Sequence, residues 1–499
     1  MLPNSGGISG TMDKFLNGIT HALSYSLQVP WLVSDFSFLL VFSLFLMIYT
    51  FIFDKLIWRQ IFILALSLFF YYKSSGPFIL LFFLIIALGY LSALLIHRTS
   101  GILKKRMLRV AIFTISGTLI YFKHAYPFVI NTNLFFGTGL YAYDWFLPIG
   151  ITFCSLQTIG YLIDVYRGSV TPIKEITSYA FYMTYFPTVF FGPIIRTKDF
   201  LAQFFKLQPV NHLYLKNGLI RLFQGLVKIL LLASYLGIFV NTIHESPKDF
   251  SGLDHLLSIY AFSFQLYFEL SGFADIAIGL SLLMGIRIKE NFDRPYHTSN
   301  LSLFWRKWLI SISNWIRNYI YIPISGDKEG GSTTIKVLFL TGIISSLILG
   351  VDIRYLVFAL IHVLVIYANN GLFRKDGKPK NTNLSRFVRI LLTFNFVSFT
   401  WVFIRATSLE NAFLSLKAIF TKVNFSNLLA FDGEKTDLLC LLLISAVVVF
   451  LPPKIYRYFQ SKIINLPIYM WFFLVLLLFQ VLIQLKPNEF QMPFITHLF

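Results

Sequence analysis

The chain has 499 residues, 56% of them hydrophobic and 13% charged, about half the charged share of a soluble globular protein. With a mean hydropathy of +0.70, it has too little polar surface to coat a water-exposed fold of this size, which excludes a soluble enzyme. The net charge of +19 is spread in short basic clusters between apolar runs. A nucleic-acid partner needs a contiguous basic face and is not expected; orientation at an anionic membrane surface accounts for the charge.

Residues 1–31 are mildly polar, and the first apolar run, near Trp31, has no basic leader, so no cleavable signal peptide is expected. Runs able to span hydrocarbon, each of about twenty residues, follow at 32–53, 58–72, 77–96, 110–127, 146–163, 216–242, 256–285, 334–351, 354–372, 388–405, 437–452 and 466–486. The 56 Phe, 26 Tyr and 8 Trp suit lipid-facing surfaces and interfacial belts. Cys154 and Cys440 lie in apolar segments without metal-ligand spacing and read as packing residues; no metal site is expected. The expected fold is therefore all-α and polytopic, about 11–13 transmembrane helices with re-entrant and interfacial helices. Residues 32–499 read as one transmembrane domain with a motif core at about 146–405.

Loop charges set the orientation. Arg98, Lys104, Lys105, Arg106 and Arg109 place the loop after the third span inside, and 128–145, without Lys or Arg, falls outside. The basic stretches 164–177 and 196–216 both belong inside. That requires 178–195, broken by Pro187, Gly192 and Pro193, to enter and leave on one face as a re-entrant segment. Residues 243–255 then lie outside, 286–333, 373–387 and 453–465 inside, and both termini outside, with twelve spans.

Polar residues concentrate between Ser263 and Gly326. Gln265, Glu269, Ser271 and Asp275 interrupt a span, where a carboxylate costs about 2.5–3.5 kcal/mol on insertion scales. Glu269 and Asp275 are expected to line a polar tunnel, the alternative being an interfacial position or a neighbouring cation. Asn291 and Pro295 read as a turn, and Ser299 or Ser302 as a helix cap. Leu301, Phe304, Trp305, Trp308, Ile312, Trp315 and Tyr319 then recur at helical spacing, with Lys307, Ser311, Asn314 and Asn318 opposite. This describes one tryptophan-rich amphipathic helix in the membrane interface, an anchor or a functional element.

These motifs carry a family resemblance. FLPIGITFCSLQTIGYLIDVYRG (146–168), YFPTVFFGPIIRTKDF (185–200), FELSGFADIAIGLSLLMGI, ENFDRPY, FWRKWLISISNWIRNYIYIPISG and TWVFIRATSLENAF stand in the order found in membrane-bound O-acyltransferases. The group resembled includes alginate O-acetylase, peptidoglycan O-acetyltransferase and the teichoic acid D-alanyl transfer protein. The likeness runs from about Tyr121 to Phe420.

The resemblance implies acyl transfer, acetyl being the expected group, through a tunnel in the bacterial cytoplasmic (inner) membrane. The donor would be a cytoplasmic thioester, coenzyme A or a phosphopantetheine carrier, with no tightly bound cofactor. The partners would be membrane lipid, a cell-surface or exported glycan acceptor, and an extracellular acyltransferase or acyl carrier protein. An attacking hydroxyl must lose its proton, and neutral histidine is the natural base. The chain departs from the family at this point. The histidine of the family's RWH falls on Leu309, after Arg306, Lys307 and Trp308, and that of its WHG on Leu349. His362 matches a supporting family position and is the candidate substitute base. His297 reads as a solvated turn residue, and His21, His124, His212, His244, His255 and His497 as interfacial or tail residues. Gly192, Pro193, Arg196, Asn291, Pro295, Trp305, Arg317 and Tyr321 are the motif positions most exposed to loss of structure or docking. Arg196 and Arg317 either steer an anionic donor or anchor the topology. Two readings stand: an active O-acyltransferase with an altered base, and a non-catalytic relative serving as acyl-carrier channel or scaffold. An unrelated transporter is disfavoured by the motif order.

Overall fold

The structure, a computed structural model, describes residues 31–141, 149–189, 192–206, 211–325, 335–375, 383–422, 433–487 and 493–497. The polar N-terminal segment therefore lies almost wholly outside the described residues. The chain divides into two compact units, residues 1–116 with 148–190, and residues 117–147 with 191–499. No strand occurs among the described residues, and each apolar run read as a span coincides with a helix. The protein is an all-α polytopic membrane protein.

The first unit holds α1 (Phe36–Ile52), α2 (Leu56–Ser75), α3 (Ile79–Arg98), the start of α4 (Gly101–Phe136), α5 (Ile151–Tyr166), α6 (Ile176–Thr184) and α7 (Phe186–Val189). Leu56–Arg98 is one apolar stretch of 43 residues, about 65 Å at helical rise and too long for one crossing. It breaks into α2 and α3 at Gly76, whose φ of +55° suits only glycine. Most described residues of the segment expected to re-enter are buried, and α6 at nine residues is about 14 Å long, too short to cross about 30 Å of hydrocarbon. Gln60 donates to the Ser178 hydroxyl (3.1 Å), fixing α6 against α2.

The second unit is built around α11 (Gly252–Leu283), preceded by α8 (Thr197–Phe204), α9 (His212–Val227) and α10 (Ser234–Glu245). A capping box of Ser251 and Asp254 starts α11, which is buried along nearly its whole length. Helices α9 and α10 are continuous through a π-helical turn, Lys228–Ala233, where the Ser234 hydroxyl donates to the Ile229 carbonyl (2.8 Å). A seam of glycines lets α9 approach α11 closely, as small residues do between membrane helices. A Cβ on Gly225 would meet the Gly272 carbonyl oxygen at 2.5 Å, and one on Gly279 would meet the Gly218 carbonyl oxygen at 2.8 Å.

After α11 come α12 (Leu301–Lys307), α13 (Ile310–Ile316), a second π-turn (Arg317–Tyr321) and α14 (Ile322–Ser325). The single amphipathic helix expected across 301–319 is in fact broken at Leu309, where φ is +44°. The break is imposed from upstream. The Asn291 carbonyl accepts from Ile310 N–H (2.8 Å) and its side-chain oxygen from Ser311 N–H (3.0 Å), satisfying donors that a continuous helix would have used. The cap of α12 is Asn300, not Ser299 or Ser302; its side chain accepts from Leu303 N–H (2.8 Å).

The remaining helices are α15 (Ile335–Leu349), α16 (Ile353–Lys375), α17 (Asn383–Thr400), α18 (Val402–Arg405), α19 (Leu409–Thr421), α20 (Gly433–Phe450), α21 (Pro453–Ile464) and α22 (Ile468–Leu485). The chain bends by 89° between α20 and α21, where Pro452 and Pro453 interrupt the helical hydrogen-bond ladder. Four helical stretches among the described residues are by themselves long and apolar enough to cross a membrane: Leu56–Arg98, His212–Glu245, Gly252–Leu283 and Leu384–Arg405. Of the others expected to cross, α1, α15 and α22 are shorter and α20 with α21 is bent, while α4 is long at 36 residues but less apolar.

Candidate functional site

A cavity of about 390 Å³ lies within the second unit, beside α10 and α11. Ile229, Ala233, Gly237, Asn241 and Glu245 form its wall at four-residue intervals, one helical stripe. The stripe begins in the π-turn, a widening often found at functional sites. Opposite stand Gln265 and Glu269 from α11 and Arg405 from α18. Gly237 is needed there: a Cβ would come within 3.0 Å of Gln265 Nε2.

The polar groups of this cavity are partly matched to one another. Gln265 Nε2 donates to one oxygen of Glu269 (2.8 Å), and the other accepts from Ile495 N–H (3.0 Å). Arg405 donates to the Asn241 side-chain oxygen and lies over the Phe494 ring, 5.3 Å from its centroid. Gln265 Oε1 and Arg405 Nε have no partner among the described residues. His244 is 6% exposed, lines the same cavity, and makes no hydrogen bond among the described residues.

His244 was not singled out by the sequence, which placed it as an interfacial residue. Its signal was the polar set Ser234, Asn241 and His244 on the face that also carries Gly237, within an otherwise apolar span. His124 and His255 are likewise buried. His124 Nδ1 accepts from Val351 N–H (3.2 Å), so Nε2 carries the proton and donates to the Leu347 carbonyl (3.1 Å). Lys123 donates to the Ile348 carbonyl beside it (2.5 Å). Both side chains thus cap the end of α15 around Leu349, which is half-buried. His255 Nε2 contacts the Pro247 carbonyl (2.9 Å).

His362 is 3% exposed and has both ring nitrogens engaged. An indole N–H can only donate, so Trp305 Nε1 bonded to Nδ1 (3.1 Å) leaves the proton on Nε2. That nitrogen donates to Thr400 Oγ1 (2.8 Å), whose own proton goes to the Val397 carbonyl (2.9 Å). The ring has no free lone pair for a substrate proton in this arrangement. His297 is half-buried rather than solvated, with Nε2 2.8 Å from the Arg294 guanidinium and 3.1 Å from the Val449 carbonyl.

The other sequence-selected residues fall into separate groups. Gln265 and Glu269 line the cavity. Asp275 does not; it is buried between Arg221 (2.9 Å) and Lys228 (2.6 Å), which realises the alternative of a neighbouring cation. Asn291 is buried and Pro295 opens a tight helical turn; together they set the approach to α12. Trp308 packs against Trp401, Tyr296 and Tyr267, with centroids at 5.2, 5.8 and 6.1 Å. Leu309 is buried beside it, in the left-handed conformation. Arg306 and Arg317 are exposed, Tyr321 is half-buried in the second π-turn, and Arg196 is exposed at the start of α8.

Comparison with known proteins places this arrangement in context. Residues 172–413 match the family model described as MBOAT, membrane-bound O-acyltransferase family. The probable alginate O-acetylase AlgI of Pseudomonas aeruginosa is 34% identical over 276 residues, 55% of this chain and 52% of that protein. The peptidoglycan O-acetyltransferase of Helicobacter pylori is 28% identical over 387 residues, 72% of this chain and 73% of that protein. The teichoic acid D-alanyltransferase of Bacillus subtilis is 26% identical over 269 residues, 50% of this chain and 67% of that protein. The chain thus spans about half the length of the alginate relatives it matches. The helical scaffold around α11, the motif order and the family match agree: residues 172–413 of this chain are a membrane-bound O-acyltransferase family domain.

Proposed function

We propose that the chain serves the O-acylation of a cell-surface or exported polysaccharide in the bacterial cytoplasmic membrane. The acyl group, acetyl by analogy with the alginate and peptidoglycan relatives, is drawn from a cytoplasmic thioester, coenzyme A or a phosphopantetheine carrier. The carrying observation is that residues 172–413 match this family while relatives named as O-acetylating two different polysaccharides are similar to 55% and 72% of this chain. An extracellular acyltransferase or an acyl carrier protein is the expected partner.

The chemistry requires a hydroxyl oxygen to attack the thioester carbonyl, the C–S bond to break, and the hydroxyl proton to be taken up by a base. Leu309 and Leu349 have neither lone pair nor titratable proton, and they occupy the positions where the resembled family carries histidine. They favour a second reading, a non-catalytic relative that channels an acylated carrier or holds the partner that does the chemistry.

One paired experiment decides between them. The purified chain in nanodiscs is given radiolabelled acetyl-coenzyme A and thiol release is followed, while the ester content of the surface glycan is measured in a gene deletion. Thiol release with loss of glycan esters is the expected result. An intact thioester with the same loss supports the non-catalytic reading, and unchanged glycan esters overturn both.

A further inference from the structure

We infer that the cavity beside α10 binds a sugar unit of an uncharged glycan, and that it disfavours a uronate. The cavity is argued from geometry alone; its identification with the acceptor rests on the function proposed above.

The first observation is the set of unspent hydrogen-bonding groups. Arg405 and Gln265 line the cavity, and Arg405 Nε, a donor, and Gln265 Oε1, an acceptor, are buried with no partner among the described residues. His244, more than nine-tenths buried, offers one nitrogen of each kind. A hydroxyl both donates and accepts, so several hydroxyls on one ring satisfy this mixed set, whereas a carboxylate or a phosphate could satisfy only its donors. Leaving such groups dry and unmatched is costly. The volume of about 390 Å³ is within the range of about 300–1,000 Å³ usual for small-molecule sites.

The second observation is charge. Among the described residues, the lining carries two carboxylates, Glu245 and Glu269, against one guanidinium, Arg405. With His244 neutral it has no net positive charge, even with Glu269 protonated. Arg405 is further engaged by Asn241 and by the Phe494 ring. Nothing here offers a uronate the surplus cation that recognises a carboxylate.

The third observation is access. His244 and Glu245 end α10, and Glu245 is exposed. At the opposite end, α9 and the π-turn carry Lys216, Arg221 and Lys228, while 243–255 is near neutral. By the distribution of basic residues, the mouth at Glu245 faces away from the cytoplasm, the side on which an exported glycan is found.

The test uses the full chain in nanodiscs and reads binding without acyl chemistry. Saturation-transfer NMR is recorded with a neutral probe, cellotriose, and an anionic one, a mannuronate trimer. The inference expects saturable binding of cellotriose and at least about tenfold weaker binding of the uronate, the effect of one unfavourable charged contact. His244→Ala should weaken cellotriose about fivefold, the loss of one net hydrogen bond, and His244→Gln should stay within about threefold. The amide variant also controls for folding. No saturable binding of cellotriose, or tighter binding of the uronate, overturns the inference, as does His244→Ala binding like the parent while His244→Gln confirms the fold. Binding without any effect of gene deletion on glycan esters overturns the proposed function and leaves the site standing.

Discussion

Trp305 donates its indole N–H to His362, and that one bond decides which nitrogen of the imidazole holds the proton. Trp305→Phe leaves Nδ1 buried without a donor, a loss of about 1–3 kcal/mol. A lower thermal midpoint in detergent is expected. Thiol release from acetyl-coenzyme A, normalised to folded protein, should be unchanged in His362→Gln; its abolition would make His362 the base.

Asp275 sits between two cations, Arg221 and Lys228, all largely buried. Asp275→Asn leaves both cations facing a neutral amide, and breaking such a pair costs about 3–5 kcal/mol. Lys228→Met should cost less, because Arg221 remains paired with Asp275 and with Glu290. Unfolding midpoints of the two variants, ranked in that order, check the assignment; the reverse order would refute it.

The seam between α9 and α11 gives a steric prediction. At Gly225 a Cβ would meet the backbone carbonyl of Gly272 at 2.5 Å, and backbone cannot swing aside as a side chain does. Gly225→Ala should cost about 1–3 kcal/mol and Gly225→Leu more, since overpacking rises with volume. Gly117, with nothing within 4 Å of its Cβ position, is the control; Gly117→Ala should not lower the folded yield.

His297 carries a pH dependence. Burial, with the nearby Arg294, Lys307 and Arg386 cations, holds its imidazole below the usual 6.5. The unfolded chain therefore binds a proton near pH 6.5 that the folded chain does not, and stability falls as pH drops through that value. Thermal midpoints at pH 7.5 and 5.5 should lie further apart in the parent than in His297→Gln. An equal separation in the variant would assign the effect elsewhere.

Leu309 holds the left-handed conformation, where asparagine, aspartate and histidine are enriched several-fold over other side chains. Leu309→His is therefore compatible with the backbone already present. Combined with Leu349→His, it is expected to raise acetyl-coenzyme A cleavage by about 10²-fold, the lower range for a positioned base. No increase in a well-folded double variant would show that the surroundings of those positions have also diverged.

The lengths of the apolar runs marked the helices, because hydrocarbon thickness imposes them. The interruption at Leu309 was not legible, since its cause is Asn291, eighteen residues upstream, whose two acceptors draw the amides of Ile310 and Ser311. Gln265 and Glu269 stood out as polar residues inside a span. His244 did not, because a histidine near the end of an apolar run looks the same whether it faces headgroups or an enclosed space. Only the neighbours contributed by Arg405 and the segment around Phe494 distinguish the two.

The backbone contact between α9 and α11 has a mechanical consequence. Helices that touch through Gly218, Gly225, Gly272 and Gly279 have no side-chain cushion to deform, so they behave as one stiff pillar. The four-residue stripe of α10 continues that pillar, and with Gln265 and Glu269 it forms a fixed wall. Any breathing that admits a guest is left to the segment at Phe494 and Ile495, where the Ile495 amide is bonded to Glu269.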